Sequence, residues 1–420
     1  MKERTIHNME EKPIAAADVK AARAEAYSAE QYPLWSVLVF CYKNQNKLFG
    51  MLDSIFRQDY PRIQLIVSDD GSRDFDAEAV RSYIEENRGG NITDVIVRKN
   101  SENMKTVAHV KKVLELAGDN IVLTAADDRF ASDSAITQYQ QAFLAHPDAL
   151  WLVARCDVVT ADYQSTIYVT PTDADIPYFE AGDAKRLFSR WSRRGMAVPC
   201  SMAFRRTAFE AVGGIDISYT YLEDWPLVLK LLRNGFAPAF LPNITAAHSR
   251  GGVTNTNAAY GKAVRRAFYE DKHRLFEQEV EPYLDMLEPE DLRAYRLYRK
   301  EIFDRAWFLD IEWEGGSRTR KLKLALSTPQ HFFWVLEQQL IKRGTIISFG
   351  KLLLVSQLLL LVSCGCFMAS AQPDAPNRLL RAAGWADCIL SMVLVLFSAL
   401  GVSLSLVFRR KQKMRRRLVN

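Results

Sequence analysis

Apolar and polar positions follow two periods along the first third of the chain. The runs "WSVLVFCY" (35–42), "IQLIVS" (63–68) and "IVLTA" (121–125), with a weaker one at 95–98, are nearly continuous and rich in β-branched residues. That is the pattern of strands covered on both faces. Between them apolar residues recur at helical spacing: Leu48, Leu52, Ile55 and Phe56, then Ala77, Val80, Tyr83 and Ile84, then Val107, Val110, Val113 and Leu114. Strand and helix alternate, which predicts an α/β fold with a mostly parallel central sheet and helices on both faces. Beyond Asp133 the pattern is mixed. It predicts a helix to about His146, a strand at 150–154, a polar loop with Pro171 and Pro177, a short helix at 183–191, a strand at 201–204, a helix at 225–233 and a last extended segment at 240–249.

The strands end in acids. Asp69 and Asp70 close the second strand, and Asp127 and Asp128 close the fourth. Sheets of this kind take ligands at the carboxyl ends of their strands, so these carboxylates are expected to face an open crevice and escape the cost of burial. Two acidic pairs there suit a diphosphate bridged through a divalent cation, since hard oxygen ligands suit Mg²⁺ or Mn²⁺. The alternative for each pair is a turn that caps the following helix. Glu223 and Asp224 precede Trp225 and Pro226, where acids also suit a helix N-terminus. Other phosphate cradles are excluded: the chain has neither a G-x-x-x-x-G-K-[ST] loop nor a G-x-G-x-x-G after its first strand.

Composition changes the picture at the C-terminal end. Of 420 residues, 352–370 and 388–408 form two uncharged stretches, each long enough to cross a bilayer as a helix. Lys342, Arg343 and Lys351 precede the first and "RRKQKMRRR" (409–417) follows the second. This predicts a hairpin in the inner membrane with the soluble part and both termini cytoplasmic. The tail carries seven positive charges, and without them the net +5 becomes −2. The basic balance is thus a membrane-surface feature and no argument for nucleic acid. The six cysteines are scattered and read as reduced thiols, and residues 1–31 lack an apolar core, so no signal peptide is expected. The expected organisation is an extension (1–33), an α/β domain (34–255), a helical membrane-proximal region (256–345), the transmembrane hairpin (346–410) and a basic tail (411–420).

Three ordered blocks carry a resemblance. They are "WSVLVFCYKNQNKLFGMLDSIFRQDYPRIQLIVSDDGSRD", "AGDNIVLTAADD", and "FRRTAFEAVGGID" followed closely by "YLEDWPLVLKLLRNGF". Over about 35–254 the chain resembles the family 2 glycosyltransferases of the GT-A fold. The resemblance implies a nucleotide-sugar donor, UDP- or dTDP-linked, and a Mn²⁺ or Mg²⁺ cofactor. It implies that Tyr42 lines the base, that Asp70 accepts from it while Asp69 supports the strand end, and that Asp127 lies near the ribose or diphosphate. Asp128 would ligate the metal, His248 would ligate it or contact the diphosphate, and Arg250 would neutralise phosphate charge. Asp224 would be the catalytic base of an inverting transfer, with Glu223 holding the loop or the acceptor. Ala126 departs from the family by replacing the first acid of D-x-D, and Phe40 and Lys43 depart around Tyr42, which leaves base identity open. No Q-x-x-R-W motif follows the acidic pair, which argues against a processive synthase. The expected activity is transfer of one sugar to a lipid-linked or glycan acceptor in surface polysaccharide or glycolipid synthesis. Transfer to a polyprenyl phosphate is the alternative within the class, and a non-catalytic nucleotide-sugar-binding scaffold the alternative outside it.

Overall fold

Trp35, Val37, Leu38 and Val39 are wholly buried because the first strand lies inside the sheet with a neighbour on each side. The computed structural model describes residues 32–250 and 262–303, together with 317 and 319. In its first half, β1 (Trp35–Cys41), α1 (Gln45–Phe56), β2 (Ile63–Asp69), α2 (Ala77–Asn87), β3 (Ile92–Lys99), α3 (Thr106–Leu114) and β4 (Asn120–Ala125) alternate as the periodicity predicts. β1 pairs in parallel with β2 and β4, and β2 pairs in parallel with β3. The register sets Cys41 opposite Asp69 and Phe40 opposite Ala125, so the carboxyl ends of three strands reach one edge together.

The second half departs from the expectation. β5 (Asp128–Phe130), α4 (Ala135–Ala145), β6 (Trp151–Val159), β7 (Thr166–Thr170), α5 (Ile176–Glu180), α6 (Ala184–Trp191), a 3₁₀ turn (Pro199–Ser201), β8 (Met202–Arg205), α7 (Arg206–Glu210), α8 (Asp224–Arg233) and β9 (Ala239–Ser249) complete the sheet. Its order is β3-β2-β1-β4-β8-β6-β9-β5, with β7 on β6. β8 runs antiparallel to both β4 and β6, β7 to β6, and β5 to β9, while β6 and β9 are parallel. The sheet is therefore mixed, which corrects the mostly parallel arrangement expected. For β7 the cause is local: β6 turns straight into it without the crossover helix that a parallel neighbour requires. β7 and α5 also replace much of what reads as a polar loop.

Packing joins the halves. Trp35 stacks on Phe143 of α4 at 5.8 Å and donates its indole N–H to Gln140 Oε1 at 3.0 Å. Downstream, α9 (Lys262–Leu275) and α10 (Pro289–Leu297) follow β9. Asp291 of α10 is buried against α6, where it accepts from Ser189 Oγ at 2.7 Å and Arg190 Nη1 at 3.3 Å. The first of two compact units extends to Arg296, so α9 and nearly all of α10 fall in the same unit as the sheet. The second unit is Leu297–Asn420. The two expected spans fall within it and, like residues 1–31 and the basic tail, lie outside the described residues. Among the described residues no helix is long and apolar enough to cross a membrane.

One turn is conformationally demanding. Gly71 has φ +77°, and a Cβ there would sit 2.5 Å from the backbone carbon of Glu102. Gly71→Ala combines a left-handed alanine with a backbone collision, and is expected to cost about 2–4 kcal/mol, read as a lowered midpoint in urea unfolding.

Candidate active site

The strand ends position the first group of acids. Asp69 ends β2 wholly buried, and accepts from Ser72 N at 2.7 Å and Ser72 Oγ at 2.6 Å. Asp70 is also buried. Its Oδ1 accepts from Asn100 Nδ2 at 3.0 Å and Met104 N at 2.9 Å, and its Oδ2 from Lys105 N at 3.0 Å. The open crevice expected for these carboxylates is thus corrected: they are buried, and charge-assisted donors offset the lost hydration. Asp69 is the turn-forming acid that the second reading of this pair described. α2 is capped elsewhere, by Asp76. A carboxylate has about four acceptor positions, so three donors leave Asp70 room for one more. Lys43, Gly71 and Lys105 all have positive φ around this edge, and non-glycine residues held so cluster at ligand sites. Tyr42 is 39 % exposed, with Lys43 Nζ 5.0 Å from its ring centroid. A hydrogen bond with the Asn103 side chain lowers its phenol pKa.

The second group forms on a strand that sequence reasoning missed. Ala126 and Asp127 make a tight turn after β4, and Asp128 begins β5, directly across from His248 of β9. Asp128 Oδ1 meets His248 Nδ1 at 2.8 Å, and its Oδ2 accepts from Ala125 N at 3.1 Å. Burial alone would lower the His248 pKa, but the charge and hydrogen bond of Asp128 lift it to about 9. Asp127 is half-buried, with Lys47 Nζ 3.9 Å from its Oδ2, and Tyr163 donates its hydroxyl to the Asp127 carbonyl at 2.6 Å. Burial and then the charge of Asp128 raise the Asp127 pKa, against a smaller opposing effect of Lys47. Cys200, in the 3₁₀ turn before β8, completes the cluster: one donor atom each from Asp128, Cys200 and His248 lie within 4.8 Å of one another. A carboxylate, an imidazole and a thiol are a donor set that fits a divalent cation.

The third group stands at the start of α8, where Glu223 is the N-cap and Asp224 the first helical residue. The Glu223 side chain makes no capping hydrogen bond. Burial and the neighbouring Asp224 push Glu223 up to about 8. Burial also raises Asp224, while backbone N–H groups and the charge of His248 favour its ionised form. His248 thus bonds Asp128 directly, while its charge is the smallest of the influences on Asp224. The loop before them is held by a residue with no motif to announce it. Asp271 of α9, 2 % exposed, accepts from the backbone N–H of Thr220 (2.8 Å), Tyr221 (2.6 Å) and Leu222 (3.3 Å). Asp271→Ala should free this loop and lower kcat about 10- to 100-fold while leaving donor binding nearly intact, as loss of positioning would. Steady-state kinetics beside nucleotide titration check it.

Arg250 follows β9 with an exposed side chain, and its backbone N–H bonds the Val159 carbonyl at 3.0 Å. The structure thus brings Asp127, Asp128 and His248 together, sets Glu223 and Asp224 side by side at the start of α8, and sets Tyr42, Asp69 and Asp70 at the β1 and β2 ends of the sheet edge. Lys47, Tyr163, Cys200 and Asp271 are additions.

Several known proteins share features with the chain. The mannosyltransferase PcManGT from Pyrobaculum calidifontis, solved with GDP-Man and Mn²⁺, is 17% identical, with a TM-score of 0.44 over 76% of this chain and 90% of that one. S. aureus TarS 1-349 is 14% identical, with a TM-score of 0.45 over 76% and 86%. Glucosyl-3-phosphoglycerate synthase from Mycobacterium tuberculosis, solved with Mn²⁺, UDP and glucosyl-3-phosphoglycerate, is 14% identical, with a TM-score of 0.38 over 65% and 86%. No curated protein matches the sequence. Residues 36–213 match the model of the family described as "Glycosyl transferase family 2", a range that holds both strand-end acid pairs and ends before Glu223. Over that range the chain is similar to the family 2 glycosyltransferases.

Proposed function

We propose that the protein is an inverting, metal-dependent glycosyltransferase that moves one sugar from a nucleoside diphosphate to a lipid-linked acceptor at the cytoplasmic face of the inner membrane. The observation that carries this reading is the pairing of Asp128 with His248 across β5 and β9, 2.8 Å apart, which sets a carboxylate and an imidazole together as cation ligands. In this reading Asp224, the first residue of α8, serves the acceptor in the same cleft.

The divisions of labour follow from chemistry. Asp70 keeps one acceptor position for a base N–H, and exposed Tyr42 offers a ring to stack on. Asp127, with Lys47 Nζ 3.9 Å from it, would meet the ribose or diphosphate oxygens. Arg250 adds positive charge for the diphosphate. Asp128 and His248 would hold Mn²⁺ or Mg²⁺, which when bound stabilises charge on the departing nucleoside diphosphate. Asp224, with its raised pKa, is the base that takes the acceptor hydroxyl's proton as oxygen attacks C1. Glu223, neutral more often than an ordinary glutamate, is suited to donate a hydrogen bond to the acceptor. The two apolar stretches at 352–370 and 388–408 support a lipid-borne acceptor, because a membrane hairpin keeps the cleft near its substrate.

The test is a panel of nucleotide-sugars incubated with the purified protein, native lipid extract and Mn²⁺ or Mg²⁺, with products identified by mass. A single-sugar increment on a lipid is the expected result. UDP- and dTDP-sugars that all bind without transfer would instead favour a scaffold.

A further inference from the structure

The thiol of Cys200 has no part in the reading above, yet it sits in the same cluster as Asp128 and His248. We infer that Cys200 is a soft third ligand of this cation site, and that it tunes the site away from hard ions such as Mg²⁺ toward more thiophilic divalent ions such as Co²⁺ or Zn²⁺. The inference rests on the transferase reading only in taking Asp128 and His248 as ligands.

Three features of the fold point this way. Cys200 is held by a 3₁₀ turn between Pro199 and Ser201, with Ser201 N bonded to the Val198 carbonyl at 3.0 Å, so its backbone is fixed beneath the site. Its other side packs with Cys156, Ala246 and Val198 in a small apolar cluster, which leaves the Asp128 and His248 side as its polar neighbourhood. Third, Ala126, two residues before Asp128, is buried in the hydrophobic core and adds no carboxylate to the site. A chain that lacks an acid there and carries a thiol within reach presents a softer donor set.

The geometry is close to closure. A four-coordinate ion with bonds of about 2.0–2.3 Å holds neighbouring donors roughly 3.5 Å apart. Donor separations of up to 4.8 Å need a shift of about 1 Å, which rotation of the Cys200 side chain can supply. In the ion-free protein the proton between Asp128 Oδ1 and His248 Nδ1 spans the 2.8 Å gap. On binding, the cation replaces that proton and the Cys200 thiol releases its own to solvent, so the ion gains a thiolate and water carries the protons away. Mg²⁺ profits least, since it demands a near-octahedral oxygen shell.

The experiment is cobalt spectroscopy on the full chain without nucleotide, beside Mn²⁺ and Mg²⁺ titrations. The wild type should show a near-ultraviolet thiolate-to-cobalt charge-transfer band in addition to the visible bands. Cys200→Ser should lose most of the former, and its Co²⁺ affinity should fall about 10- to 100-fold while Mn²⁺ and Mg²⁺ affinities change little. Cys156→Ser should keep the band, which guards against a general effect of disturbing the thiol cluster. Cobalt binding without a thiolate band in the wild type, or a band untouched by Cys200→Ser, overturns the inference and needs no variant fold in the first case. The transferase reading is read separately, by UDP-sugar binding and transfer in Mg²⁺ or Mn²⁺. A protein that binds UDP with cation but gives no thiolate band refutes the role of Cys200 alone. One that binds neither cobalt nor UDP refutes both.

Discussion

Asp224→Asn should lower kcat about 10²- to 10⁴-fold while nucleotide binding in Mn²⁺ changes less than about threefold. The substitution keeps the shape of the side chain and its place at the start of α8, so the helix and the Asp271-held loop remain. What it removes is the capacity to accept a proton. A base must be ionised to act, and burial raises the Asp224 pKa beside a Glu223 that is itself displaced to about 8. The wild-type rate should therefore fall as pH drops through a pKa above the ordinary carboxylate range, and Asp224→Asn should flatten that limb. The like-charged pair titrates together, so the limb belongs to both acids. Initial rates across pH 5 to 9 for the two proteins, at saturating donor, measure it. Survival of full activity in the variant would point to an acceptor that is already ionised, a polyprenyl phosphate.

Much of the first half of the fold was legible because periodicity and burial agree there. β1, β2 and β4 are covered on both faces, so their sequences are continuous apolar runs, and the helices between them show one apolar stripe each. The second half resisted for reasons that belong to pairing. β5 has three residues, too few for any period, and exists because Asp128, Arg129 and Phe130 pair with β9. β7 reads as polar because Thr166, Ile167 and Tyr168 are exposed at the margin of the sheet, where no second layer demands apolar residues. Parallel or antiparallel sense is not written in such segments at all. It follows from the connections.

The site divides along the same line. Asp69, Asp70, Asp127 and Asp128 could be found because strand ends mark them. Their environments could not, since the donors to Asp70 come from residues 100 to 105, and the partner of Asp128 lies 120 positions away. Burial was misjudged for that reason: without donors in view, the cost of desolvation points a carboxylate toward water. Asp271 and Cys200 carry no local signal. One is a helical acid in a charged stretch and the other a lone thiol, and only the tertiary fold gives Asp271 three amides and gives Cys200 an imidazole and a carboxylate.

Asp128→Ala should abolish cation-dependent nucleotide binding, weakening UDP binding in Mn²⁺ about 100-fold or more, so that the residual affinity is the same with Mn²⁺ or with a chelator. The argument is one of charge. Asp128 is the buried anion of the cluster, and a cation there would otherwise face imidazole, thiol and the Lys47-paired Asp127. Removing it also strips His248 of the group that lifts its pKa to about 9, and the burial that remains acts in the opposite direction. The His248 titration, followed by NMR, should therefore move down in the variant even with no ligand present. The two readouts separate a lost ligand from a lost fold, because an unfolded chain would return every histidine to an ordinary value near 6.5. Set beside Asp224→Asn, the pair assigns roles: one variant binds without transferring, the other transfers nothing because the cation no longer holds the donor. Equal loss of nucleotide binding in both would refute that division, since it would make Asp224 part of the donor's cage and leave the acceptor hydroxyl without a base.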